Sequence, residues 1–334
     1  MKMSLAALAG LSLLAAVPAA CAEQSAVEAE GATAPALFVA NKRESSLSRL
    51  SLESGGETGR VATCSNPHEL SLSPDRAHVA VACYDGTAVE IYDAASLERV
   101  KTVELGVGAR PHGVLWHESG TLLATAEGRG SIFVIADPLS ATASPKEIET
   151  GAGGPHLLAV SRDPGIAWGT NRRAGEVIRI DLAAGAVTHR AKVEGNPEGI
   201  AITPDNSALW VGANTANKVY RLDPDTLEVE GEVPTGVMPI RVQIAPDGAR
   251  VVTSNARDGT LTVIDAERGE AVRTIAVSGG GEAGQVTLAF SEDGSKLYVA
   301  ETGADRIAET AFPQGAVIRR MAAGEGGDGL AISE

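Results

Sequence analysis

Four residues whose side chains bind metals or transfer protons occupy the same place in a recurring segment of the chain. Each directly follows a proline that opens an alternating apolar stretch; they are His68, His112, His156 and Glu198. Imidazole is a common metal ligand, and imidazoles and carboxylates serve as general acids and bases. If the fold brings them together, they could hold a divalent metal, with His112, His156 and Glu198 as catalytic candidates. The alternative is that Pro-His merely opens a strand, with each imidazole bonded to a neighbouring carbonyl.

The segment that contains these residues recurs seven times along the chain. Its copies begin at residues 67, 111, 155, 197, 239, 285 and 327, which are 44, 44, 42, 42, 46 and 42 residues apart. A period in the forties, built from short strands, is typical of the blades of a β-propeller.

Each repeat has the pattern of four strands. In the repeat that begins at Pro197, the stretches IAIT, ALWVGA, KVYRLD and EVEGEV are separated by turns such as Pro204-Asp205-Asn206. The C-terminal GLAIS has the inner-strand pattern with no strands after it, and the N-terminus has the other three patterns without an inner strand. We therefore predict an all-β, seven-bladed propeller over residues 36–334. It has four antiparallel strands per blade, and the last blade is closed by the two ends of the chain.

Two stretches carry a resemblance to a known family. They are PIRVQIAPDGARVVTSNARDGTLTVID at residues 239–265 and QVTLAFSEDGSKLYVA at residues 285–300. They resemble the YVTN-type (lactonase-like) propeller repeat, and the resemblance extends over roughly residues 36–334. Members of that family include ring-opening lactonases and dehydrogenase subunits. The resemblance further implies that histidines at the channel mouth bind copper or assist lactone chemistry in some relatives.

The mouth of a propeller channel is lined by the starts of the inner strands and by the loops between second and third strands. In these loops basic residues outnumber acidic ones, although the whole chain has a net charge of -15. Arg172 and Arg257 lie in the loops, and Arg241 lies beside an inner-strand start. Since guanidinium groups match carboxylates and phosphates, we expect the mouth to bind a small anion. The alternative is that these turn charges are simply solvated.

Composition and motifs exclude several functions. A net charge of -15, with Tyr84 the lone aromatic residue in the mouth loops, argues against binding nucleic acid. No stretch after the N-terminus has the length and apolarity of a transmembrane helix. The chain also has no CxxC, HExxH or nucleophile-elbow motif. We expect a monomer.

The N-terminus has the pattern of a signal peptide. Lys2 precedes an apolar run at residues 5–17, and Ala20-Cys21-Ala22 fits a cleavage site. We predict a signal peptide over 1–22, a disordered tether over 23–35 and a periplasmic or secreted protein. The alternative is a lipid anchor at Cys21. Cys64 and Cys83 are then candidates for a disulfide, or else two separate buried thiols.

The leading functional hypothesis is an exported ligand-binding or interaction protein, with a channel-mouth site for a small anion or a periplasmic protein partner. One alternative is a lactone hydrolase or lyase that acts on a small anionic ring compound. It would use His112 or His156 as acid/base, Glu198 as partner and Arg241 as carboxylate clamp. Another is an accessory subunit of a periplasmic dehydrogenase.

Overall fold

The computed structural model describes residues 34–151 and 153–334. The predicted signal peptide, the lipidation site at Cys21 and all but the last two residues of the predicted tether lie outside the described residues. Within those two ranges, no helix has both the length and the apolar character needed to cross a membrane.

The described chain folds into seven antiparallel sheets of four strands each. The first half of the chain contains β1 (Ala36–Asn41), β2 (Ser46–Ser51), β3 (Glu57–Ala62), β4 (Pro67–Leu72), β5 (His78–Cys83), β6 (Ala88–Asp93), β7 (Arg99–Glu104), β8 (Pro111–Trp116), β9 (Leu122–Ala126), β10 (Ser131–Ile135), β11 (Lys146–Glu149), β12 (Pro155–Val160), β13 (Ile166–Asn171) and β14 (Glu176–Asp181). The second half contains β15 (Ala186–Lys192), β16 (Pro197–Ile202), β17 (Leu209–Ala213), β18 (Lys218–Leu222), β19 (Val229–Pro234), β20 (Pro239–Ile244), β21 (Arg250–Asn255), β22 (Thr260–Asp265), β23 (Glu270–Ala276), β24 (Gln285–Phe290), β25 (Lys296–Glu301), β26 (Arg306–Ala311), β27 (Val317–Ala322) and β28 (Gly327–Ser333). Three short 3-10 helices lie in loops, at Arg172–Ala174, Gly281–Ala283 and Thr302–Ala304.

The sheets are arranged as the blades of a propeller. Blade 1 is β4–β7, the next five blades follow in chain order, and blade 7 is β28 with β1–β3. Each inner strand contacts the inner strands of the two neighbouring blades, and the contact between β24 and β28 and that between β28 and β4 complete the circle. Among the described residues, seven buried apolar clusters form the core, one between each pair of adjacent blades.

The two ends of the chain close the ring. The C-terminal β28 pairs antiparallel with β1, with Leu37 opposite Ile332 and Val39 opposite Leu330. This pairing covers the edge of β1, which would otherwise be open to association with other chains. The predicted seven-bladed architecture and its closure by both ends are confirmed.

The seven predicted segment starts are the first residues of the seven inner strands. In all seven of these strands the pairing with the second strand shifts register directly after the start, at Pro67, Pro111, Pro155, Pro197, Pro239, Gln285 and Gly327. A β-bulge of this kind interrupts the regular alternation of side chains and redirects them. The second residue after a start can therefore also reach the channel mouth, as Arg241 does in contacting Glu69 and Glu198.

The structure resolves the two alternatives for the cysteines in favour of a bridge. Cys64, in the loop before β4, forms a disulfide with Cys83 at the end of β5, and their Cα atoms are 5.6 Å apart. Pro67 pairs with Cys83 in the sheet, so the hairpin itself brings the two residues together. The bridge thus fastens the loop leading into His68 to the strand leading into Tyr84.

Replacement of both cysteines by alanine is expected to lower the free energy of unfolding by about 3 kcal/mol, because a bridge of this loop length restricts the unfolded chain. The sequence separation of the two cysteines is 19. Urea denaturation of the wild type and of the Cys64→Ala/Cys83→Ala variant measures the difference. Equal midpoints, or two free thiols in wild-type protein purified without reductant, would contradict the bridge.

Candidate functional site

A threonine in the second strand of blade 2 holds the backbone of the site. The hydroxyl of Thr125 accepts a hydrogen bond from the Gly113 amide at 2.7 Å and donates one to the His156 carbonyl at 3.0 Å. Gly113 allows this approach, since a Cβ at this position would lie 2.8 Å from the same carbonyl oxygen. Thr170 links blades 3 and 4 similarly, with its hydroxyl 2.9 Å from the Glu198 carbonyl. The inner strands are thereby held side by side at the channel mouth.

Three imidazole rings from consecutive blades lie in contact in a row, and two of them are stacked. The ring centroids of His112 and His156 are 3.8 Å apart, and those of His68 and His112 are 4.8 Å apart. Tyr84 packs against His68 at 4.5 Å, and the Arg110 guanidinium lies 4.5 Å from the Tyr84 ring centroid. His112 and His156 are only 5% and 4% exposed. The predicted convergence of the three histidines is therefore present in the structure.

His156 lies between two carboxylates. Its Nδ1 hydrogen-bonds to Glu127, and its Nε2 lies 3.2 Å from an oxygen of Glu198, at an angle too poor for a hydrogen bond. The second oxygen of Glu127 accepts a hydrogen bond from the Tyr84 hydroxyl at 2.9 Å. Glu198 also accepts a hydrogen bond from the Asn214 amide. Both carboxylates are therefore held in place by further polar contacts.

The two stacked histidines differ in their electrostatic surroundings. Burial, together with the nearby His156, holds the pKa of His112 well below its usual value. Burial acts on His156 in the same direction, but Glu127 and Glu198 outweigh it and raise the pKa of His156. Although burial opposes ionisation, His156 and two arginines lower the pKa of Glu198 to about 2. Contacts with His156 and Tyr84 likewise lower the pKa of Glu127 despite its burial.

The rest of the mouth contains ion pairs that are buried or partly buried. Arg241, 4% exposed, contacts the Glu69 carboxylate, and its guanidinium lies 3.8 Å from Glu198. Lys42 lies 3.0 Å from Asp328, the second residue of the C-terminal strand β28. Burial disfavours the charge on Arg241, but its carboxylate neighbours raise its pKa. The charge of Arg241 is thus already neutralised within the protein.

Most of the other mouth cations are also paired. Six of the eight basic loop residues have ion-pair partners, namely Lys42 with Asp328, Arg43 with Asp305, Arg129 with Glu147, Arg172 with Glu198, Lys218 with Glu232 and Arg306 with Glu301. Within the described part of the chain, Arg173 and Arg257 have no ion pair. Both are exposed, Arg173 beside Arg172 and Arg257 in the β21–β22 loop.

A cavity of about 300 Å³ lies next to the histidine cluster. It is lined by Tyr84, Glu127, Gly154, Arg172, Arg173 and Asn196. Glu127 belongs both to this lining and to the His156 contact, so the cavity and the buried cluster adjoin one another. A small molecule in this cavity would meet two guanidinium groups, an aromatic ring and a carboxylate.

The structure brings together six of the seven predicted site residues. His68, His112, His156, Glu198, Arg241 and Arg172 are linked by direct contacts or by shared partners, whereas Arg257 lies outside these contacts. Sequence reasoning did not assign a site role to Glu127 or Glu69. Glu127 directly follows the second strand of its blade, as Tyr84 and Arg172 do in the two neighbouring blades, and that position was its only signal. Glu69 is the second residue after Pro67, as Arg241 is after Pro239.

Comparisons with known proteins place the chain among propellers. A family model described as a YNCE-like beta-propeller matches residues 1–224. A comparison with curated proteins finds no match.

Similar solved structures share the fold at low sequence identity. A functionally unknown protein from Desulfotomaculum acetoxidans has a TM-score of 0.75 and 16% identity, with 90% of this chain and 99% of that chain covered. Kuenenia stuttgartiensis hydrazine synthase has a TM-score of 0.69 and 17% identity, with 78% and 87% covered. A streptogramin B lyase structure has a TM-score of 0.67 and 17% identity, with 88% and 89% covered. At these identities the likeness is one of fold alone.

Proposed function

This chain belongs to the YNCE-like beta-propeller family, and from that premise we propose that it is an exported binding protein that takes a small organic anion at the channel mouth. The observation that carries the proposal is the cavity beside Arg172 and Arg173. A volume of about 300 Å³ is at the lower end of the range for small-molecule sites. The ligand would therefore be compact.

The charges around the cavity favour an anion. Arg173 has no ion-pair partner among the described residues, so its charge is available to a ligand. Arg172 shares its guanidinium with Glu198 at 3.2 Å, and Arg110 stacks on the Tyr84 ring that forms one wall. A carboxylate or phosphate held by Arg173 would place the rest of the molecule against Tyr84. We therefore assign binding of the ligand's negative charge to Arg173 at the cavity and not to the buried Arg241.

Export is the second part of the proposal. The N-terminal pattern of Lys2, the apolar run at 5–17 and the Ala20-Cys21-Ala22 sequence supports a cleaved signal peptide. The Cys64–Cys83 disulfide supports an oxidising compartment, because such bridges are rare in the cytosol of mesophiles. Mass spectrometry of protein recovered from the periplasm or medium gives the mature N-terminus. An intact Met1 in a cytoplasmic fraction would contradict export.

Replacement of Arg173 by alanine is expected to weaken binding of a small carboxylate or phosphate ester by roughly 10- to 100-fold, since a hydrogen bond to a charged group contributes about 1.5–3 kcal/mol. Calorimetric titration of chelator-treated wild type against a panel of such anions identifies the best ligand and measures the change. Its affinity should also fall with added salt, because exposed charges are screened.

Arg268 provides the matched control. It is an exposed arginine in the β22–β23 turn, at the end of the blade opposite to the mouth. Arg268→Ala should leave the affinity unchanged. Equal losses in both variants, or no anion binding by the wild type, would contradict the proposed site. If the wild type converted a lactone to product, the hydrolase or lyase hypothesis would be favoured over the binding hypothesis.

A further inference from the structure

The row of histidines contains a buried ring nitrogen with no hydrogen-bond partner in the part of the chain that the structure describes. His112 is 5% exposed, and its Nδ1 has no hydrogen-bond partner among the described residues. A buried polar atom is ordinarily hydrogen-bonded, so an exception on a side chain with ligand chemistry indicates a missing partner. The His112 ring is stacked on the His156 ring, with their centroids 3.8 Å apart.

Potential ligand atoms converge at this point. One nitrogen each of His112 and His156 and one carboxylate oxygen of Glu127 all lie within 4.8 Å of one another. Around a tetrahedral ion with bonds of about 2.1 Å, neighbouring ligand atoms are about 3.4 Å apart. Small rotations of these three side chains would therefore bring their ligand atoms to coordination distance from one ion. The backbones are already held by Thr125, which joins the strands of both histidines.

The surroundings resemble an outer coordination shell. The Tyr84 hydroxyl donates to the Glu127 oxygen that does not contact His156, which orients that carboxylate. Glu198 lies 3.2 Å from Nε2 of His156, on the side of the ring away from Glu127. Metal-binding histidines commonly present their other ring nitrogen to a carboxylate, and metal-binding carboxylates are themselves hydrogen-bonded. The hydrogen-bonded carboxylate is present at Glu127, and Glu198 lies close enough to Nε2 of His156 to take the second role.

We propose that His112, His156 and Glu127 bind one divalent transition-metal ion of the zinc and cobalt class at the floor of the mouth cavity. Two imidazoles and a carboxylate are ligands that these ions prefer, whereas magnesium and calcium select oxygen ligands. Three protein ligands leave a coordination position open, and the adjoining cavity lined by Glu127 gives access to it. The inference goes beyond the proposed anion binding and does not require it.

Titration of the full-length, chelator-treated protein with Co²⁺ alone tests the proposal. We expect one equivalent to bind, with visible absorption bands of a nitrogen- and oxygen-ligated ion. His112→Ala should lower the Co²⁺ affinity by more than 100-fold, because loss of a ligand should exceed the 10- to 100-fold cost of losing an outer-shell partner. Tyr84→Phe, which removes only the hydroxyl that orients Glu127, should lower it by about 10- to 100-fold.

His189→Ala is the control, because His189 is exposed on β15 and away from the cluster. It should leave the Co²⁺ affinity unchanged. If His112→Ala does not fold, Tyr84→Phe decides the question. The proposal would be overturned if the wild type failed to bind Co²⁺ stoichiometrically. It would also be overturned if His112→Ala or Tyr84→Phe folded and bound Co²⁺ with the affinity of the wild type. Since the titration contains no organic anion, its result is independent of the Arg173→Ala experiment.

Discussion

A chain that ends at residue 326, and so lacks β28, is expected to lose its cooperative unfolding transition and to aggregate. The truncation removes the inner strand of blade 7, which pairs with β1 and contacts the inner strands of the two adjacent blades. It exposes β1 as an unpaired edge facing the channel, and such edges invite association. It also removes Leu330 from the apolar cluster between blades 6 and 7. Circular dichroism during heating and size-exclusion chromatography measure the two effects.

A point variant refines this test. Leu330→Ala should lower the free energy of unfolding by about 2–5 kcal/mol, the range for truncating a buried leucine. Ile318, 52% exposed on the outer strand β27, is the control, and Ile318→Ala should change that energy by less than about 0.5 kcal/mol. A truncated chain that remained monomeric with the wild-type midpoint would show that closure by β28 is dispensable.

Replacement of Arg241 by methionine is expected to lower the free energy of unfolding by about 3–5 kcal/mol. The change leaves Glu69 and Glu198 without their shared buried cation, and removing one partner of a buried ion pair is strongly destabilising. Urea denaturation at neutral pH measures the loss. Adding Glu69→Gln to Arg241→Met should restore part of it, because the double variant no longer leaves the Glu69 charge unpaired.

Arg250 supplies a matched control for this prediction. Its guanidinium lies 3.0 Å from Asp265, but its side chain is 38% exposed. Arg250→Met should therefore lower the free energy of unfolding by less than about 1 kcal/mol, as exposed ion pairs contribute little. If Arg241→Met were no more destabilising than Arg250→Met, the buried pair would not stabilise the mouth. Arg241 would then again be a candidate for binding the negative charge of a ligand.

Several features of the site were predictable because a repeat fixes equivalent positions. His68, His112, His156 and Glu198 follow the starts of successive inner strands, so circular symmetry places them at one level around the axis. The seven strand starts and the closure of blade 7 followed from the same period. Whether Cys64 and Cys83 form a bridge did not follow, since the spacing was compatible with two separate thiols.

The neighbours of these side chains were not predictable from the period. The bulge after Pro239 disturbs the alternation, and Arg241 is buried at the channel while Ile240 is partly exposed. The pairing of Arg241 with Glu69 spans the channel between blades 5 and 1. The two residues occupy the same position in their repeats, but the period does not indicate which of these positions pair across the channel. The positive mouth expected from residue counts is mostly neutralised by such pairs, and Arg173 is the cation left facing the cavity.

By itself the sequence determined the architecture: seven blades, four strands in each, a ring closed by both ends, and the level at which the histidines lie. These follow from apolar alternation and turn residues, which act locally and repeat. The tertiary structure alone decided which charges are neutralised and that His156 lies between Glu127 and Glu198. It alone also showed that Nδ1 of His112 has no hydrogen-bond partner within residues 34–151 and 153–334. Those outcomes depend on distances across the channel between residues of different blades, and no local pattern encodes such distances.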